Sequence, residues 1–186
     1  LQLLTEIDFN SLTLEDQIEY ALFQREVKHR IMLLEFETKR QSEALQLLPG
    51  LPPLIELAEQ RRALKPLHPE QAKRLINDAI ESLKTSQDRL TKDPAGVSPT
   101  LAFRAAKLLD GFRNNFKEWN TFYEGYDPKY SHKVSAAYQA LDKQFEIYAA
   151  FLRNDLAKAS NPETIIGDPI GRDAIEAALR YELIPY

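Results

Sequence analysis

The sequence has no cysteine at all, which excludes a disulfide framework, an iron–sulfur site, a thiolate zinc site and a cysteine nucleophile. It also lacks any apolar run near the roughly 20 residues that cross a bilayer, and its first residues show no basic flank and apolar core of signal type. Glycine is scarce, six in 186 residues, and nowhere do glycines cluster into a phosphate-cradling loop. Charge of one sign is missing too: 24 Lys and Arg face 28 Asp and Glu, so no positive excess draws nucleic acid or an anionic membrane surface. The compartment is left open, because a chain without cysteine suits either redox state. The chain opens on Leu1-Gln2-Leu3 with no methionine, so it is expected to be a piece cut from a longer protein.

What is present is helical periodicity punctuated by eleven prolines. A first stretch runs from Thr13 to Leu48, with Thr13 and Asp16 resembling a capping pair, and Pro49-Gly50-Leu51-Pro52-Pro53 ends it. A short helix follows from Leu54 to Leu64. Ala72, Leu75, Ile76, Ala79, Ile80, Leu83 and Leu90 then recur at steps of three and four, one apolar stripe on a charged helix. After Asp93-Pro94-Ala95-Gly96, Ser98-Pro99 reads as an N-cap with proline at the first helical position, opening a helix to Glu124. Gly125-Tyr126-Asp127-Pro128 is the next turn. Val134, Ala137, Tyr138, Leu141, Phe145, Tyr148 and Leu152 mark a fifth helix to Ala159, and a last one runs from Gly171 to Pro185. No alternating strand pattern and no internal repeat competes. The expected fold is all-α, a single domain over residues 1–186, built as an antiparallel bundle of five to six helices, three or four of them long.

Chemistry-bearing constellations are few. Glu26-Val27-Lys28-His29 places a carboxylate and an imidazole on one helix face, as in di-iron bundles, but no second copy exists to complete such a site. His68 and His132 fall near loops or helix starts. No Gly-x-Ser-x-Gly elbow supports a hydrolytic triad. Gly167-Asp168-Pro169-Ile170-Gly171 precedes the last helix, where backbone N–H groups and Arg172 could meet an anion; the competing reading is a turn in which Asp168 caps that helix. Phe112, Phe116, Trp119 and Tyr123 form one helical stripe, read as core. Tyr126 and Tyr130 flank the Asp127-Pro128 turn, where hydroxyls and a carboxylate could contact a ligand or simply pack.

These same segments carry a resemblance. Glu118-Trp119, Phe122 to Pro128 with its Gly-Tyr-Asp-Pro turn, Ile165 to Ala174 with Gly-Asp-Pro-Ile-Gly-Arg, and Glu182 to Tyr186 are together similar to the bacterial and fungal domain of unknown function 885 family. Asp8-Phe9, Leu14 to Tyr20 and Leu47-Leu48-Pro49 are similar to it as well. The resemblance implies a largely helical zinc metallopeptidase whose His-Glu-Leu-Ile-Pro-Gly-His-His type metal motif lies far downstream. Tyr181 to Tyr186 mimics part of that motif, with Tyr181 in place of the first histidine. Three histidines without a His-Glu pair do not make a zinc site, so no catalytic residue, metal ligand or cofactor is expected within this segment, and zinc is expected only in the parent protein. Ser131-His132-Lys133 after Tyr130 departs from the aromatic residues that often follow this turn in the family.

Two functional expectations follow. In the first, the segment forms one wall of a peptide-substrate channel, with Tyr126, Asp127, Tyr130, Asp168, Gly171 and Arg172 as the channel candidates and the C-terminal remainder of the chain as its partner. In the second, it is a non-enzymatic helical scaffold that binds a partner protein.

Overall fold

The computed structural model describes residues 2–126, 128–161 and 163–185. Among these the regular structure is all helical and there is no strand, in line with the proline-partitioned periodicity. The elements are α1 (Gln2–Thr5), a 3₁₀ turn (Phe9–Ser11), α2 (Leu14–Leu45), α3 (Leu51–Arg62), α4 (Pro69–Lys92), α5 (Pro99–Tyr126), α6 (Pro128–Phe151), a π-helical turn (Leu152–Leu156) and α7 (Arg172–Tyr181). Seven α-helices stand among the described residues where five to six are expected, and the addition is α1, a single turn. No local period marks α1: its Leu4 carbonyl accepts a hydrogen bond from the Tyr20 hydroxyl, 16 residues on, at 2.9 Å. No helix among the described residues is long and apolar enough to cross a membrane.

The helix starts follow local chemistry. The Thr13 hydroxyl accepts from the Asp16 N–H at 3.2 Å and donates to the Asp16 carboxylate at 2.6 Å, which settles two polar groups at the start of α2. The Ser98 hydroxyl accepts from the Leu101 N–H at 3.1 Å, and Pro99 occupies the first helical position behind it. Pro52 and Pro53 sit inside the first turn of α3, where their missing N–H groups are no loss, so α3 begins at Leu51 rather than Leu54.

The chain divides into two compact units, residues 1–40 with 169–186, and residues 41–168. In the larger unit the axial order of the helices can be read from their polar pairs. Asn120 meets Tyr130, Arg113 meets Asp142 and Asp110 meets Arg153, so α5 and α6, with the turn that follows it, run antiparallel. Glu70 meets Lys133 and Ser86 meets Tyr148, so α4 and α6 run parallel. Between them lies the core: Ile76, Leu83 and Leu90 of the α4 stripe, Leu109, Phe116 and Trp119 of α5, and Val134, Leu141, Phe145 and Tyr148 of α6. Leu48, Leu51 and Leu54 are fully buried in the same cluster.

Gly50 fits because it has no side chain. A Cβ there would stand 2.8 Å from the Ala79 carbonyl oxygen and 2.9 Å from its Cα, and backbone atoms cannot swing aside. At its other end α6 does not continue as α-helix to Ala159. It widens into a π turn closed by the Ala157 N–H on the Leu152 carbonyl, and Ala157 and Ala159 then pack with Ala102 in a second, smaller apolar cluster.

The aromatic stripe of α5 is core, as its spacing implies. Phe116 and Trp119 stack with centroids 4.5 Å apart and planes at 6°, and Trp119 meets Tyr123 and Tyr130 edge-on at 5.1 and 5.6 Å. The buried indole N–H has no hydrogen-bond partner, so the site tolerates an unpaired donor for the sake of the ring. Trp119→Ala is therefore expected to cost about 3–5 kcal/mol, and Trp119→Phe clearly less, since phenylalanine keeps a ring while removing the orphaned N–H. Denaturant midpoints check this; an alanine variant that melts with the parent would move Trp119 out of the core.

Candidate functional site

The turn between α5 and α6 exposes aromatic surface. Tyr126 is 76% exposed and Phe122 48%; their rings stack at 5.7 Å and 17°, and the Arg61 guanidinium of α3 lies 5.4 Å from the Phe122 centroid. Asp127 lies outside the described residues. Tyr130 faces inward: it is fully buried, and its hydroxyl donates to Asn120 Oδ1 at 2.7 Å. Burial, the largest cause, pushes that phenol well above its ordinary range. The Asn120 amide N–H donates in turn to Glu124 at 3.2 Å, and the Ser135 hydroxyl donates to the other Glu124 oxygen at 3.1 Å. Beside this chain, Arg113 holds Asp142 with two hydrogen bonds of 2.6 and 2.8 Å, and keeps its carboxyl below the usual range. The result is a 450 Å³ cleft whose polar atoms are largely bonded to one another.

The Gly167 to Arg172 segment does two separate things. Its first half docks onto α5: Thr100 donates to the Gly167 carbonyl at 3.0 Å, and Arg104 reaches both Asp168 at 2.6 Å and Glu43 at 3.0 Å. Asp168 thus answers a guanidinium and does not cap the last helix. The N-cap of α7 is Gly171, whose φ of 89° suits a residue without Cβ and which offers no side-chain cap. Arg172 is exposed and bonds Glu176 one turn on, at 2.5 Å.

A second site was not legible as such. In the smaller unit α2 and α7 enclose a 610 Å³ groove, with Ala21, Gln24, Arg25, Lys28, His29 and Met32 on one side and Ala177, Arg180, Tyr181 and Leu183 on the other. Tyr181 is its anchor. Its ring stacks on the His29 imidazole at 3.7 Å and 14°, the Arg25 guanidinium lies 4.8 Å from its centroid, and its hydroxyl donates to Glu26 at 2.5 Å. That hydroxyl, first, and Arg30 at 2.6 Å, second, hold the Glu26 carboxyl below its ordinary value of 4.5. The same bond raises the Tyr181 phenol above its ordinary 10.0. The Glu-x-x-His pair on α2 therefore serves α7 through Glu26 and His29 alike. The helical spacing of Glu26 and His29 is visible in the sequence; the partner of Glu26, 155 residues away, is not.

Among the described residues no three His, Asp or Glu side chains gather as metal ligands, and Glu26 is bonded to a phenol and a guanidinium. The chain matches no protein-family model, no curated protein and no solved structure.

One bond in the groove makes a two-sided pH prediction. Because the Glu26 value is lowered, its contribution is complete above the ordinary carboxylate value and is lost as pH falls through the lowered one. Because the Tyr181 value is raised, its contribution is complete below pH 10.0 and is lost as pH rises through the raised one. In Tyr181→Phe the Glu26 carboxyl, followed by carbon NMR, should titrate at a higher pH than in the parent. An unchanged titration would mean that Arg30 alone sets it.

Proposed function

We propose that this chain is the helical part of a metallopeptidase-like hydrolase, forming one wall of a peptide-substrate channel, with the zinc-binding residues supplied by sequence beyond this segment. The observation that carries the reading is the platform at the Gly125-Tyr126-Asp127-Pro128 turn. Two stacked aromatic rings are left in water beside a guanidinium, in the segment most like the domain of unknown function 885 family. Stacked rings exposed together are costly surface for a folded chain, and they suit the flat backbone amides and apolar side chains of a peptide. In this reading Tyr126 lends its ring to the channel and Tyr130 holds the turn in place from within the core, while Asp127, Gly171 and Arg172 are channel candidates by the resemblance alone. The up, down, up order of α4, α5 and α6 supports an antiparallel bundle of neighbouring helices as the rigid backing for that wall.

A scaffold that binds a protein partner is the second reading, and α2 favours it. Leu14, Ile18, Leu22, Phe23, Leu33 and Leu34 are all exposed and lie around much of the helix circumference, a pattern that ordinarily calls for burial on several sides.

The reading frame beyond Tyr186 separates the two. A His-Glu pair followed by a later histidine supports the hydrolase, and a stop codon at once after Tyr186 overturns it. In the hydrolase, Tyr126→Ala should raise KM for peptides about three- to tenfold with kcat nearly unchanged, the size of a lost aromatic contact. Unaltered KM would remove the platform from the channel.

A further inference from the structure

The α2–α7 groove holds two cations, Arg25 and Lys28, that pair with no carboxylate among the described residues. Arg25, half-buried, lies against the Tyr181 ring and pairs with no carboxylate among the described residues. Lys28, one helical turn on, makes its hydrogen bond to the neutral Gln24 amide at 2.9 Å and likewise has no carboxylate among the described residues. Arg180 enters from α7, at 3.7 Å from Glu176. The nearby acids are committed: Glu26 to Tyr181 and Arg30, Glu176 to Arg172 and Arg180. The His29 Nδ1 atom is buried without a hydrogen-bond partner on the same wall. Like charges converging on a partly desolvated concavity repel each other and are normally held by a counter-charge. For Arg25 and Lys28 the described residues supply none, while Ala21, Met32, Ala177 and Leu183 give the rest of the groove an apolar lining. Its 610 Å³ is the size that takes a small organic molecule.

We propose that this groove binds a small amphipathic carboxylate, its head on Arg25 and Lys28 and its apolar body along Ala21, Met32, Ala177 and Leu183. A guanidinium presents two parallel N–H donors to a carboxylate and an ammonium adds a point charge, so the pair fixes the head while leaving the body to sit by shape. The chemistry is shared by a medium-chain fatty acid and by the free C-terminus of a peptide ending in an apolar residue. This inference stands on the groove alone and requires no hydrolytic activity.

The test uses the full chain and NMR of the imidazole ring protons. Only three histidines are present, so His29 is assigned by the signal lost in His29→Gln. Octanoate and acetyl-Ala-Leu with a free carboxylate are titrated beside octanol and the amidated peptide. Saturable shifts of His29 are expected for at least one carboxylate, with the stronger binder of the two identifying the source, and none for the neutral analogues. Lys28→Gln, a change at an exposed side chain, should weaken that binding about tenfold with an unchanged circular dichroism spectrum, and Arg25→Gln provides a second, independent loss. Equal binding of the neutral analogues, binding indifferent to both substitutions, or no saturable shift with either carboxylate would overturn the proposal.

Discussion

Burial of α6 against α4 and α5 at once is the constraint on which the structure of residues 41–168 rests. A helix covered on two sides must be apolar over a wide arc, and any polar atom within that arc must find its partner inside the protein. Tyr130 reaches Asn120. The Tyr148 hydroxyl has one proton, which goes to the Leu47 carbonyl at 2.7 Å, so Ser86 donates to it from α4 at 3.0 Å. These bonds fix rotation and axial register together. A slip of one helical turn, about 5.4 Å, would orphan several buried polar atoms at the same time.

Once α6 is set, the neighbouring features follow. The Trp119 ring is needed to fill the seam between Phe116 and Tyr130 even though its N–H goes unpaired. The π turn after Phe151 brings Ala157 and Ala159 onto Ala102, where a regular α-helical continuation would carry them around the axis. Arg104 ties Glu43 and Asp168 to α5, so this end of the unit is closed by ion pairs as well as by that small apolar cluster. The smaller unit is built differently. Its α2 residues leave many large apolar side chains in water, and α7 is ten residues long. What joins α7 to α2 there is a tyrosine held by an imidazole, a guanidinium and a carboxylate.

The helices were legible because their signals are local. Prolines at helix starts, the Ser98 cap, and the α4 and α5 stripes act within a few residues, and they recur in the structure at those positions. What escaped depends on distant partners. Tyr126 and Tyr130 are four residues apart and look alike in sequence, yet one is in water and the other in the core, because α6 runs back along α5 and brings Tyr130 onto Asn120. Asp168 sits before a helix as a cap would, but Arg104, 64 residues earlier, holds it. Glu26 and His29 suggested a metal pair by spacing, and their partner proved to be Tyr181, a residue that reads in sequence as an altered copy of a metal motif.

The central claim is that stability resides in the doubly covered α6 and its two neighbours, while the charged groove belongs to a smaller unit whose α2 leaves large apolar side chains in water. Native-state amide hydrogen exchange measured residue by residue tests it directly. Amides in the middle of α5 and α6 should exchange only through global unfolding, whereas those of residues 14–34 and 172–181 should exchange through openings of distinctly lower free energy. A single exchange free energy shared by both units would contradict it.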